Sequence, residues 1–66
     1  MTITLNGTKR DIPENTTMTS LLDSVGLAGK PVIVELNQVA LLPREITNAI
    51  VKDGDVMEIV QITAGG

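Results

Sequence analysis

The chain has 66 residues, with 5 basic and 8 acidic side chains and a formal net charge of −3. It contains no Cys, His, Phe, Trp or Tyr, which excludes a disulfide framework, a thiolate nucleophile, Cys or His metal ligation and histidine acid–base chemistry. An acidic balance without aromatic side chains to stack on bases also argues against nucleic acid as a partner.

Met1 to Asn6 alternates apolar and polar residues, the period of a strand with one buried face. Asn6-Gly7 is a hairpin signal, because both residues tolerate φ > 0. A return strand is predicted over Thr8 to Ile12 and ends at Pro13, which lacks a ladder donor. Thr17 is the expected N-cap of a helix whose Met18, Leu21, Leu22 and Val25 recur at spacings of three and four. Gly26 suits the position just past its end. A third strand is predicted over Val32 to Leu36, then an Asn37-Gln38 turn and a short strand from Val39 to Leu42. Pro43-Arg44-Glu45 is read as a break and Ile46 to Val51 as one helical turn. Lys52-Asp53-Gly54-Asp55 reads as a tight turn, and a last strand runs from Val56 to Ile62.

A chain of this size makes one domain that buries roughly 60% of its surface. Its core is aliphatic, and Val and Ile supply 14 residues, a bias that favours strands. One helix on one face of a sheet is the arrangement that buries the helical stripe. The fold class is therefore α+β: a β-grasp, ubiquitin-like roll with a mixed sheet of four to five strands. The helix-side set is Met1, Ile3, Leu5, Ile12, Val32, Val34, Leu36, Met57 and Ile59. Residues 1–62 form the domain and residues 63–66 a flexible Gly-Gly tail.

Catalytic constellations are absent from the sequence. Ser20 and Ser24 have no His to activate them. Asp53 and Asp55 flank Gly54 but lack the ligand spacing of a calcium loop, so they read as shoulders of a turn. Glu35 and Glu58 fall on one sheet face and read as solvated. No catalytic residue and no metal site is expected. No apolar run approaches the roughly 20 residues of a membrane span, and Met1-Thr2-Ile3-Thr4 lacks the pattern of a signal peptide. A cytoplasmic protein without membrane attachment is the expectation.

Two features point to a partner. Ile33, Val60 and Ile62 fall on the sheet face away from the helix, where an apolar cluster marks a binding patch. The chain also ends Ala64-Gly65-Gly66. Glycine lacks Cβ, so such an end threads a narrow channel in a partner's active site. The distinctive reactive group is then the Gly66 carboxylate, a poor acyl donor until a partner activates it, for instance by adenylation.

These residues together resemble a known family. They are the Asn6-Gly7 hairpin, the Thr17 to Gly26 helix with Leu21-Leu22, Val34-Glu35-Leu36-Asn37, Pro43-Arg44-Glu45, Lys52-Asp53-Gly54-Asp55 and terminal Ala64-Gly65-Gly66. Their order resembles the ThiS-type sulfur carriers of thiamine thiazole biosynthesis. The resemblance implies that a ubiquitin-activating-type adenylyltransferase, using Mg-ATP, adenylates Gly66. Sulfur from a cysteine desulfurase pathway then displaces AMP to leave a Gly66 thiocarboxylate, which thiazole synthase consumes. It implies a recycled co-substrate rather than an enzyme, with no permanently bound cofactor. Val60 stands where relatives often carry an aromatic residue against the activating enzyme. The small subunit of molybdopterin synthase shares this fold and tail but tends to be longer. A ubiquitin-like protein modifier and an interaction domain with an inert tail are the other readings.

Overall fold

The computed structural model describes residues 1–63. Five strands and two helices follow in the order β1 (Thr2–Leu5), β2 (Thr8–Asp11), α1 (Met18–Ser24), β3 (Val32–Leu36), β4 (Val39–Ala40), α2 (Pro43–Asn48) and β5 (Val56–Gln61). They form one mixed sheet in the order β2-β1-β5-β3-β4. β5 is central, parallel to β1 and antiparallel to β3. This is the β-grasp roll expected from the sequence.

Local chemistry accounts for each element. Both hairpins turn on two residues with positive φ: Asn6 and Gly7 at 50° and 81°, Asn37 and Gln38 at 50° and 70°. Such pairs match the twist of the flanking strands, and they set Leu5 opposite Thr8 and Leu36 opposite Val39. The Thr17 hydroxyl caps α1 by accepting from the Ser20 N–H at 3.2 Å. Beyond the helix, Gly26 takes φ 79°. Its N–H donates to Asp23 O, and the Leu27 N–H donates to Leu22 O at 2.8 Å. This is a Schellman closure, which requires the left-handed conformation that glycine adopts freely.

The segment after β3 departs from expectation. β4 covers only Val39–Ala40 rather than reaching Leu42. α2 begins at Pro43 rather than after a Pro-Arg-Glu break. Proline at the first helical position fixes φ and lacks only an N–H that has no helical partner there. The Glu45 carboxylate then accepts the Leu42 N–H at 2.7 Å, tying off the helix start. The predicted turn over Ile46 to Val51 is therefore displaced, and residues 49–51 are extended. They run antiparallel to residues 16–18, with a Thr17–Ile50 bridge. Met18 N–H donates to Ala49 O and Val51 N–H to Thr16 O. This pairing carries Val51 inward.

The core lies between α1 and the sheet. Ile3, Leu5, Val34, Met57 and Ile59 are buried from the sheet, and Met18, Leu21 and Leu22 from α1. Val51 joins them, a core residue absent from the predicted set. Met1, Ile12, Val25, Val32 and Leu36 pack around the rim, only partly buried. The Lys52 to Asp55 turn stitches the two ends of the chain. The Thr2 N–H donates to Asp53 Oδ1 and the Gly54 N–H to Thr2 O, both at 2.8 Å. The buried Asp55 carboxylate accepts the Lys52 N–H and the Asn37 side-chain amide. Both aspartates thus hold the turn. The expected tail over residues 63–66 lies, beyond Thr63, outside the described residues.

Leu21→Ala is expected to lower the unfolding free energy by about 2–5 kcal/mol, read from denaturant melts, because it opens a cavity in a core too small to close over it. Gln38→Gly is expected to raise it by about 0.5–1 kcal/mol, since a glycine at φ 70° relieves left-handed strain that outweighs the added freedom of the unfolded chain. A lower melting midpoint for Gln38→Gly would contradict the strain assignment.

Candidate partner-docking face

Side chains alternate along β3 and β5, so each strand presents one set to the helices and one to the open side of the sheet. The pairing register puts Ile33 of β3 directly opposite Val60 of β5, and Glu35 directly opposite Glu58. Two of the three residues predicted for the patch are therefore neighbours on the open face. Ile33 is 51% exposed and Val60 58%, although adjacent Val34 and Ile59 are buried. This β-branched pair in the middle of the sheet leaves more than half of each residue to solvent. Val56 extends the apolar surface toward β1, where it pairs with Thr4.

Ile62 is placed differently. β5 ends at Gln61, and the Ile62 N–H donates to Pro31 O at 2.9 Å. The residue borders a groove lined by Leu22, Leu27, Val32, Pro43 and Ile46. These side chains belong to the helical side, so Ile62 edges that groove at the end of the sheet, one ladder step beyond the Ile33–Val60 rung. Its bond to Pro31 continues the β3–β5 register by one position beyond the strand.

The end of β5 is held by a contact that no short-range pattern announces. β1 stops at Leu5, and Asn6 turns away into the hairpin. Its side chain nevertheless continues the ladder: the Ile59 N–H donates to Asn6 Oδ1 at 2.8 Å, and Asn6 Nδ2 donates to Ile59 O at 3.1 Å. One amide thus substitutes for the next residue of β1. The strand that leads to the chain's last residues is pinned on one side by this amide and on the other by β3. The two partners are separated by 53 positions, so the signal lay in the hairpin dipeptide only as a turn.

Ala64, Gly65 and Gly66, the expected threading and reaction residues, lie outside the described residues. Among the described residues, no three Asp or Glu side chains come together as a metal site, and no helix is long and apolar enough to cross a membrane.

The ThiS family profile matches residues 3–66. The chain is 39% identical over 62 residues to the sulfur carrier protein ThiS of Thermus thermophilus, covering 94% of this chain and 95% of that one. Its fold is similar to the crystal structure of the thiamine biosynthesis protein ThiS from Geobacter metallireducens, with a TM-score of 0.82, 33% identity and complete coverage of both chains. A solution structure of a thiamine biosynthesis protein from the same organism matches with a TM-score of 0.79 and 35% identity, over all of this chain and 88% of that one. With the sequence match running through Gly66 and the same fold over the full length, this chain belongs to the ThiS family.

Proposed function

We propose that this protein is a sulfur carrier that supplies sulfur for thiazole formation in thiamine biosynthesis. The observation that carries the reading is the family match through Gly66, together with a relative, aligned over 95% of its own length, that is named as a sulfur carrier. Gly66 is the reacting residue. Its carboxylate attacks the α-phosphorus of ATP in the active site of a ubiquitin-activating-type adenylyltransferase, and pyrophosphate leaves. The acyl-adenylate is a strong acyl donor. A persulfide from a cysteine desulfurase pathway adds to its carbonyl carbon and AMP departs; a thiol reductant then cleaves the S–S bond of the resulting acyl disulfide, leaving Gly66 as a thiocarboxylate. Thiazole synthase takes that sulfur and returns the carboxylate.

The division of labour follows from the chemistry present. Beyond the Gly66 carboxylate that reacts, the sequence holds no Cys or His and the described residues form no cluster suited to a metal, so this reading assigns catalysis to the partners. Ala64, Gly65 and Gly66 thread the partner's channel, where the absence of bulky side chains permits close approach to ATP. Ile33 and Val60 supply the apolar contact that orients the carrier, and Ile62 flanks the point where the chain leaves the sheet. Chemistry and docking are thus carried by separate parts of a small molecule.

Deletion of Gly66 is expected to abolish ATP–pyrophosphate exchange by the activating enzyme while leaving the melting temperature unchanged, because a terminal residue contributes little to a core. Exchange at the full rate by the truncated chain would overturn the assignment of Gly66. Ile33→Glu and Val60→Glu are each expected to weaken binding to that enzyme by about tenfold or more, measured by titration calorimetry, because each buries an unpaired charge in an apolar contact. Intact-mass analysis after incubation with Mg-ATP, a sulfur source and the activating enzyme should show oxygen replaced by sulfur at Gly66.

A further inference from the structure

Glu35 and Glu58 raise a question that the apolar pair does not answer. They stand directly opposite each other on the same face and one step along the strands from Ile33 and Val60. The hydrogen bonds at both ends of the ladder, Ile62 N–H to Pro31 O and Asn37 N–H to Val56 O, set its alternation. By that alternation both rungs are hydrogen-bonded pairs, with Cα atoms about 5.5 Å apart across the strands and about 7 Å between rungs.

Like charges directly opposite are unfavourable in a sheet, and among the described residues no cation stands in register to relieve these two. On β4 the residue opposite Glu35 is Ala40. On β1 the register with β5 ends at Leu5 opposite Met57, one residue short of Glu58. Lys9 shares the face but sits opposite Thr4 on the far strand β2. Among the other acidic residues, Asp11, Glu45, Asp53 and Asp55 each accept a hydrogen bond from within the chain, whereas Glu14 and Asp23 do not but stand outside the sheet. The described hydrogen bonds give Glu35 and Glu58 no such role.

We infer that this face docks a partner surface that is basic as well as apolar: an Arg or Lys of the partner protein seats between Glu35 and Glu58 while its apolar neighbours cover Ile33 and Val60. The inference rests on the docking role proposed for Ile33 and Val60 and adds the charge of the partner. A cation placed between the two carboxylates converts their repulsion into attraction to both. The arrangement trades stability of the free protein for steering and orientation of the complex. The same charges disfavour a second copy of this chain as the occupant, because packing the face on itself brings carboxylates toward carboxylates.

The test compares the full-length chain with Glu35→Gln/Glu58→Gln in binding kinetics with the activating enzyme. Measurements run from ~50 to ~500 mM salt, across which exposed charges become screened. A second double variant, Glu14→Gln/Asp23→Asn, removes the same charge away from the face. At low salt the Glu35→Gln/Glu58→Gln chain should bind about tenfold more weakly, chiefly through slower association, and lose most of its salt dependence. Its melting temperature should rise, which separates the effect from misfolding. The control variant should stay within about twofold of the natural chain. Binding by the natural chain with an equal affinity and salt slope for the Glu35→Gln/Glu58→Gln chain would overturn this inference alone. An equal loss in both double variants would assign the effect to net charge and also overturn it. Absence of binding by the natural chain would overturn the docking role itself, and sedimentation showing self-association of the Gln variant would make a second copy the occupant.

Discussion

The pairing of the first strand with the last is the constraint on which the rest of this fold depends. β1 and β5 lie side by side and parallel in the middle of the sheet, so about fifty intervening residues must be folded back before the central ladder closes. Closing so long a loop carries an entropic cost that a few hydrogen bonds offset only if the contact is also buried. It is buried: Ile3 and Leu5 of β1 and Met57 and Ile59 of β5 face α1 together. Thr4 N–H to Asp55 O and Asn6 N–H to Met57 O supply the ladder at 2.9 Å each. The Asn6 amide extends it by one step onto Ile59. β5 thereby occupies the most restrained place in the molecule, and the chain's last residues leave from it.

This placement has a functional consequence. A docking surface gains from a rigid platform, because a loose one would add ordering entropy to every encounter with a partner. α1 and the buried face of the sheet make the platform with aliphatic side chains alone. The opposite face is left without a covering layer. Its alternating positions hold Ile33 and Val60 in one rung and Glu35 and Glu58 in the next. Neither rung helps the free protein: one exposes apolar surface and the other opposes like charges. Local rules are broken here without compensation inside the chain, which is where functional surfaces are found.

Much of this was legible along the chain, and the reasons are local. The Asn6-Gly7 turn, the Thr17 cap, the Leu21-Leu22 stripe and the Gly26 closure each depend on residues within a few positions of one another. The same holds for the alternation that put Ile33 and Val60 on the open face. The departures have an equally physical origin. Pro43 reads as a break by its effect inside a helix, yet at the first helical turn it is an initiator. Val51 lies in a segment with no periodicity of its own, and a bridge to Thr17 carried it into the core. Ile62 lies one residue past β5, where its bond to Pro31 continues the ladder and a groove that no periodicity announces borders it.

Composition and local pattern by themselves determined that this chain has an aliphatic core, one main amphipathic helix and tight hairpins, and that it holds no Cys or His. They also carried the family resemblance, since its motifs are short contiguous runs. The tertiary structure alone decided which strands meet. It set β5 between β1 and β3, Ile33 against Val60, Glu35 against Glu58, and the Asn6 amide against Ile59. Asn6 and Ile59 are 53 positions apart, and the Ile33–Val60 and Glu35–Glu58 pairs are 27 and 23 positions apart. Periodicity assigns a side chain to a face, but only the closed sheet assigns it a neighbour.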